Sequence, residues 1–309
     1  MKKYLVLWMM ILVLLLGGCA ATDEMSTEGQ ASGQASSGEE QNQEENSQPE
    51  AGVEISCMSF NLLSYNTGGT TYDEPQVRAK YSIPFILETN ADIVGLQEVD
   101  TVKEFNWKET VIEGTKSVYT ARCIDEELEY GVKDMNIAAG LVILYRTDRF
   151  TLKDSGCTYY FDDAGRFYQW VLLEDKKSGR DLYVTNTHLS INPDSDPIAG
   201  DELRSWEAEE LVTFWEETVG DTALFATGDY NARIDTDAHT VYLKRGIYDN
   251  SCEAAIESDG ESSVDFCYFN TKCMEATKYE MLDRNYTDKD GSKIIMSDHC
   301  PIITYAVYK

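Results

Sequence analysis

Residues Ala91–Asp100 read ADIVGLQEVD. Ile93, Val94 and Leu96 form a short apolar run with the length and β-branched character of a buried strand, and Gln97-Glu98 follow where that run stops. A carboxylate in this place is informative, because loops leaving the ends of buried strands are where α/β proteins gather ligands. Upstream, Val77 to Thr89 has helical spacing. Before it, EISCMSFNLLSYN (Glu54–Asn66) carries a buried strand from Ile55 to Leu63 that delivers Asn61 near its exit.

The same arrangement recurs downstream. FYQWVLLEDKKSGRDLYVTNTHLS (Phe167–Ser190) reads as a hairpin turning at Lys177-Ser178-Gly179-Arg180, and its second strand puts Asn186 and His188 two apart, on one face. ALFATGDYNAR (Ala223–Arg233) is an apolar strand ending at Gly228 that then presents Asp229 and Asn231. VDFCYF (Val264–Phe269) sets Asp265 inside an apolar run, and IIMSDHCPIITY (Ile294–Tyr305) places Asp298-His299 between two more. The chain has only 3 histidines, and two of them, His188 and His299, fall in these strand-end signatures. Burying carboxylates such as Glu98 and Asp265 beside apolar residues is costly unless they are paired or bind a metal. His239, in DTDAHTVY, belongs to no such signature and reads as a surface position near a helix start, with Asp235 or Asp237 as the helix cap.

Outside this region the chain changes character. MKKYLVLWMMILVLLLGGC (1–19) has a basic start, an apolar run ending at Leu16 and a Gly17-Gly18-Cys19 junction, so it reads as a signal peptide with a lipoprotein processing site. The run is short for a permanent span. Here the chain resembles bacterial lipoproteins, which implies that Cys19 carries the lipid and that the mature protein is anchored at the extracellular face of the cell membrane. Residues 20–54 are rich in Ser, Gly, Gln, Glu and Asn with almost no large apolar side chain, a composition that cannot offset chain entropy by burial and so predicts a disordered tether. Residues 55–309 remain for one folded domain, long enough for one sizeable core and without internal repeats.

The formal net charge is −29. Setting aside the nine acids of 20–54 and the bases Lys2 and Lys3 leaves 46 acids against 24 bases, or −22, in the domain. Such a surface repels polyanions on average, which disfavours nucleic acid as a partner without removing it. The seven cysteines after Cys19 include no C-x-x-C pair, so no structural zinc site is indicated, and they read mostly as buried thiols. No G-x-S-x-G is present, which argues against a serine hydrolase of the nucleophile-elbow type.

In order, FNLL, DIVGLQEVD, NTHL, GDYNA, VDF and SDHCPI resemble the motifs of the endonuclease/exonuclease/phosphatase superfamily, from about Ile55 to Val307. The resemblance implies a DNase I-like α/β fold: a four-layer sandwich of two central mixed β-sheets flanked by helices. It also implies a metal-dependent phosphoesterase site at one edge, with Glu98 as the principal ligand of Mg²⁺ or Mn²⁺ and Asn61 and Asp298 completing the shell. His299 would be oriented by Asp265, Asp229 and Asn231 would orient the attacking water, and His188 would donate to a phosphate oxygen. Tyr230 stands where the family favours phenylalanine and should point away from the site, and Ala138-Ala139-Gly140 stands where some nucleases carry a further carboxylate. The expected function is hydrolysis of phosphate esters at the cell surface, with a surface nuclease as the alternative and a non-catalytic binding protein of this fold behind it.

Overall fold

The computed structural model describes residues 52–64, 72–99, 101–102, 105–123, 140–160, 166–191, 197–234, 236–245, 248–250 and 264–309. The signal segment, Cys19 and nearly all of the tether lie outside them, as do Ala138, Ala139 and Asp235. The chain runs through β1 (Glu54–Asn61), α1 (Pro75–Thr89), β2 (Ile93–Gln97), β3 (Thr101–Val102), β4 (Phe105–Asn106), α2 (Trp107–Thr115) and β5 (Tyr119–Arg122). It continues with β6 (Val142–Arg146), β7 (Phe150–Tyr159), β8 (Phe167–Asp175), β9 (Arg180–His188), α3 (Pro197–Phe214), one wide helical turn at Trp215–Val219, and β10 (Ala223–Asp229). Then follow α4 (Asp237–Lys244), β11 (Tyr248–Asn250), β12 (Asp265–Asn270), β13 (Met274–Met281), β14 (Asn285–Thr287), β15 (Lys293–Ile295) and β16 (Ile302–Tyr308).

Two six-stranded sheets carry the fold, in the orders β13-β16-β1-β2-β6-β5 and β11-β12-β10-β9-β8-β7. At the centre of each sits one parallel pair, β1 with β2 and β9 with β10, among antiparallel neighbours. Period-two alternation divides each strand between two environments. Met58, Phe60, Val94 and Leu96 turn outward into a cluster with Ala79 and Ile86 of α1 and Trp107 and Val111 of α2. Ile55, Cys57 and Ile93 turn inward, into the core shared with Val184 and Phe225 of the second sheet. The indole of Trp215, just past α3, donates to Thr185 Oγ1 at 3.3 Å and thereby covers the outer face of that second sheet. The layers are therefore helix, sheet, sheet, helix, as the sequence implied.

Along the inner faces, polarity rises toward one edge. The inward residues are Ile55, Cys57, Ser59 and Asn61 in β1, Ile93, Gly95 and Gln97 in β2, and Leu182, Val184, Asn186 and His188 in β9. Asn186 is the hinge of this gradient: its Nδ2 donates to Leu96 O across the sandwich at 2.8 Å, and its Oδ1 accepts from Gln97 Nε2 at 2.7 Å and Thr227 Oγ1 at 3.1 Å. All three side chains are buried.

Four local expectations are corrected. His239 does lie near the start of α4, but it is only 1% exposed, with Nδ1 2.6 Å from Tyr268 Oη and its ring against Phe266. The cap of α4 is Thr236, whose hydroxyl accepts from the His239 N–H, and Asp237 occupies the first turn instead. Of the six described cysteines, all free, Cys57 and Cys267 are buried while Cys123, Cys157, Cys273 and Cys300 are half-buried. The β8–β9 hairpin turns through Lys176–Gly179, one residue earlier than expected, with Arg180 already paired to Asp175 and Gly179 at φ +68° supplying the left-handed residue.

Gly95 is what lets the sheets approach here. A Cβ at this position would fall 1.9 Å from Thr227 Oγ1 and 3.0 Å from Asn186 Oδ1. Gly95→Ala must push the two sheets apart where they carry their polar seam, so it should lower stability by about 1–3 kcal/mol or more. Urea unfolding followed by circular dichroism measures this, and an unchanged midpoint would show that the seam is not tightly packed.

Candidate active site

Strand register brings the polar strand ends together. In the first sheet Asn61 pairs with Gln97, which sets Glu98 one residue beyond. In the second, Asp229 pairs with His188 on one side and with Asp265 on the other. These ends share one edge of the sandwich, and the backbone bends sharply there: Leu63, Glu98 and Asn231 have φ of 51°, 56° and 47°. Left-handed backbone is uncommon for residues with a Cβ and concentrates at functional sites. Asn90, the C-cap of α1, is the fourth such residue among those described.

Asn61, fully buried, joins the two sheets at this edge. Its Nδ2 donates to Glu98 Oε1 at 3.1 Å and to Asp229 Oδ2 at 2.9 Å, and its Oδ1 accepts from the Leu63 N–H at 2.9 Å. Glu98 Oε2 accepts from Ser64 N at 3.0 Å and from Ser64 Oγ at 3.3 Å. Burial raises the Glu98 pKa, Asn61 opposes this, and repulsion from Asp229 and Asp298 adds to the rise. Asp229 is pushed up to about 6 by burial and by Asp265, against the pull of His299 and its own hydrogen bonds. Its Oδ1 accepts from the Asn231 N–H at 3.0 Å. Asn231 in turn donates through Nδ2 to Leu189 O at 2.9 Å, tying the exits of β9 and β10 together.

The two strand-end histidines flank Asp229. His188 Nε2 lies 3.4 Å from Asp229 Oδ2 and His299 Nε2 lies 3.7 Å from the same oxygen. His299 Nδ1 is 2.7 Å from Asp265 Oδ2, so this carboxylate fixes the ring and its tautomer. Burial works against the His299 cation, but Asp265, Asp229 and Asp298 outweigh it and hold its pKa well above the ordinary value. Asp298 stands at the rim, 39% exposed, with Oδ1 3.9 Å from His299 Nε2 and 3.3 Å from Ser297 Oγ. Tyr230 faces away from all of this, donating to Ala226 O at 3.1 Å and packing against Tyr242 and Tyr268.

The donor set fits a hard divalent cation. Ligand atoms of Glu98, His188 and Asp229 all lie within 4.8 Å of one another, and so do those of Asp229, Asp265 and His299. The buried carboxylates have raised pKa values partly because they crowd each other, and a cation between them would relieve that repulsion. In this arrangement Asn61 presents its nitrogen to the Glu98 and Asp229 carboxylates and its oxygen to the Leu63 N–H, while His188 is grouped with those two carboxylates. Ser64 and Ser297, which touch Glu98 and Asp298, escaped the sequence reading because lone serines in loops carry no distinguishing pattern.

Several proteins of known structure share this fold. An endonuclease/exonuclease/phosphatase from Bacteroides vulgatus superposes with a TM-score of 0.64 at 20% identity, covering 83% of this chain and 100% of its own. A mannosyl-6-phosphatase from Bacteroides thetaiotaomicron gives 0.63 at 18% identity, covering 82% and 99%. TDP2 from D. rerio, complexed with a single-strand DNA product, gives 0.61 at 15% identity, covering 82% and 98%. No protein with a curated description matches the chain. The sequence profile of the Endonuclease/Exonuclease/phosphatase family matches residues 58–287, a span holding Asn61, Glu98, His188, Asp229 and Asp265, and the chain belongs to that family.

Proposed function

We propose that this protein is a Mg²⁺- or Mn²⁺-dependent hydrolase of phosphate esters, held by a lipid on Cys19 at the extracellular face of a bacterial membrane. The observation that carries the reading is the convergence of Glu98, His188, Asp229 and the Asp265–His299 pair on one edge. A non-catalytic role would not need this costly concentration of buried charge.

The side chains divide the work as follows. Glu98, with Asp229, His188 or Asp298, would hold the cation, which when bound supplies charge for a phosphoryl oxygen to lean on. Asp229, fixed by Asn61 and the Asn231 N–H and with its carboxyl pKa raised by burial, is suited to orient the attacking water and take its proton as the water oxygen bonds to phosphorus and the ester P–O bond breaks. His299, held by Asp265 and favoured in its charged form by the carboxylates around it, would stabilise the negative charge that grows on the phosphoryl group.

The dyad has a measurable signature. His299→Ala should lower turnover by about 10²–10⁴-fold. Asp265→Asn should cost less, and the double variant should be no worse than His299→Ala alone, because an orienting group acts only through what it orients. Losses that add in log activity would separate the two residues.

On substrate, the −22 balance of residues 55–309 and the lack of any Lys/Arg-rich run favour a small or lipid-borne ester over duplex DNA. Mannosyl 6-phosphate chemistry in one structural neighbour fits this preference. The DNA product bound by another keeps a surface nuclease as the second reading. The test is turnover by the domain from Ala51 onward at physiological salt with Mg²⁺, Mn²⁺ or chelator. Bis-p-nitrophenyl phosphate, sugar phosphates, inositol phosphates, phosphatidylinositol and sphingomyelin are set against plasmid DNA and RNA. Metal-dependent hydrolysis of the small or lipid esters is expected. Efficient plasmid nicking that falls by about 10³–10⁵ between 50 and 200 mM salt, with little else turned over, would establish the nuclease instead.

The anchor is tested separately. Cys19→Ser should release the full chain from the membrane fraction or block its maturation while the activity of the domain is unchanged, and Cys19→Ser protein that stays with membranes through a high-salt wash would contradict lipidation.

A further inference from the structure

Arg78, in the first turn of α1, is completely buried. Arginine is seldom enclosed without partners that use its whole fork of donors, and here every nitrogen of the guanidinium is engaged. Nη1 donates to Leu62 O at 2.6 Å and to Met296 O at 2.9 Å, Nη2 donates to Leu63 O, and Nε donates to Asp73 O at 2.9 Å. The ring of Trp107, from α2, lies 5.4 Å below the guanidinium carbon. Apart from Asp73, which lies just before α1, these carbonyls belong to segments distant from the helix. Leu62 and Leu63 lead out of β1 immediately after Asn61, whereas Met296 immediately precedes Ser297 and Asp298, more than two hundred residues later.

We infer that Arg78 is a positioning residue for the metal-side carboxylates, a buried tie that sets the β1 exit loop against the loop carrying Asp298. On one side its bond to Leu63 O supports the left-handed backbone there (φ 51°), which aims Leu63 N at Asn61 Oδ1 and the next residue's N–H and hydroxyl at Glu98. On the other side its bond to Met296 O seats the segment in which Ser297 Oγ donates to Asn61 O at 2.7 Å, closing a second tie between the same two loops. A lysine would keep the charge but, as a single point donor, cannot span three carbonyls on two segments.

This inference rests on the reading of Glu98 and its neighbours as a metal site, and the test separates the two. Mn²⁺ binding is measured by isothermal titration calorimetry on wild type and Arg78→Lys, at a temperature where circular dichroism shows both folded. Loss of an outer-shell partner should weaken Mn²⁺ binding by about 10–100-fold, and turnover lost at limiting Mn²⁺ should return in part as Mn²⁺ is raised. A residue that served only the fold would lower the melting temperature and leave the Kd of the folded protein unchanged, and that result overturns the inference. Should Arg78→Lys not fold, Ser297→Ala cuts the companion tie and decides the matter by the same titration, with weakened binding expected and wild-type affinity contradicting it. Wild-type protein that binds no Mn²⁺ would overturn the metal reading itself.

Discussion

The amide of Asn61 is the contact on which this molecule turns. Its two N–H groups reach Glu98 at the end of β2 and Asp229 at the end of β10, so one neutral side chain bridges carboxylates contributed by two different sheets. Two like charges brought this close in a buried edge repel, and each also loses hydration. The amide offsets part of that cost, and a divalent cation would offset more. The chain thus folds into a state in which buried carboxylates crowd one another at this edge, and the left-handed backbone at Leu63, Glu98 and Asn231 lies at the same edge.

That cost is carried by the rest of the sandwich. Away from the edge the inner faces are apolar, with Ile55, Cys57, Val184 and Phe225 in one continuous core. Between this core and the site lies the seam of Gln97, Asn186 and Thr227, in which polar groups are satisfied across the gap between sheets, and Gly95 keeps that gap narrow. A purely hydrophobic interface can slide, whereas hydrogen bonds of this kind fix register. Register matters here because a one-residue slip would turn Asn61, Asp229 and His188 to the outer faces.

Much of this was legible in the sequence for a physical reason: strand ends place a residue by counting. An apolar run with period two fixes which residue faces inward, and Asn61, His188, Asp229 and Asp265 share the inner faces as that count requires, whereas Glu98, one residue past the inward Gln97, comes to the same edge through its left-handed backbone. The six motifs in order made the sandwich and its flanking helices recognisable. What could not be read were partnerships between distant segments. Arg78 looks like an ordinary solvent-facing helix residue until the carbonyls of Leu62, Leu63 and Met296 are seen around it. His239 was placed correctly at a helix start and wrongly at the surface, because its partner, Tyr268, is 29 residues away on β12. Asn186 and His188 share a face as expected, yet one locks the sheets and the other enters the site, a division that depends only on depth.

The central claim is that the Glu98 edge gathers its carboxylates to hold a divalent cation. Anomalous scattering from crystals grown with Mn²⁺ tests it most directly. The account predicts a peak within bonding distance of the Glu98 carboxylate, between it and Asp229 or Asp298. No peak at that edge at saturating Mn²⁺, or one coordinated by residues elsewhere on this acidic surface, would contradict it.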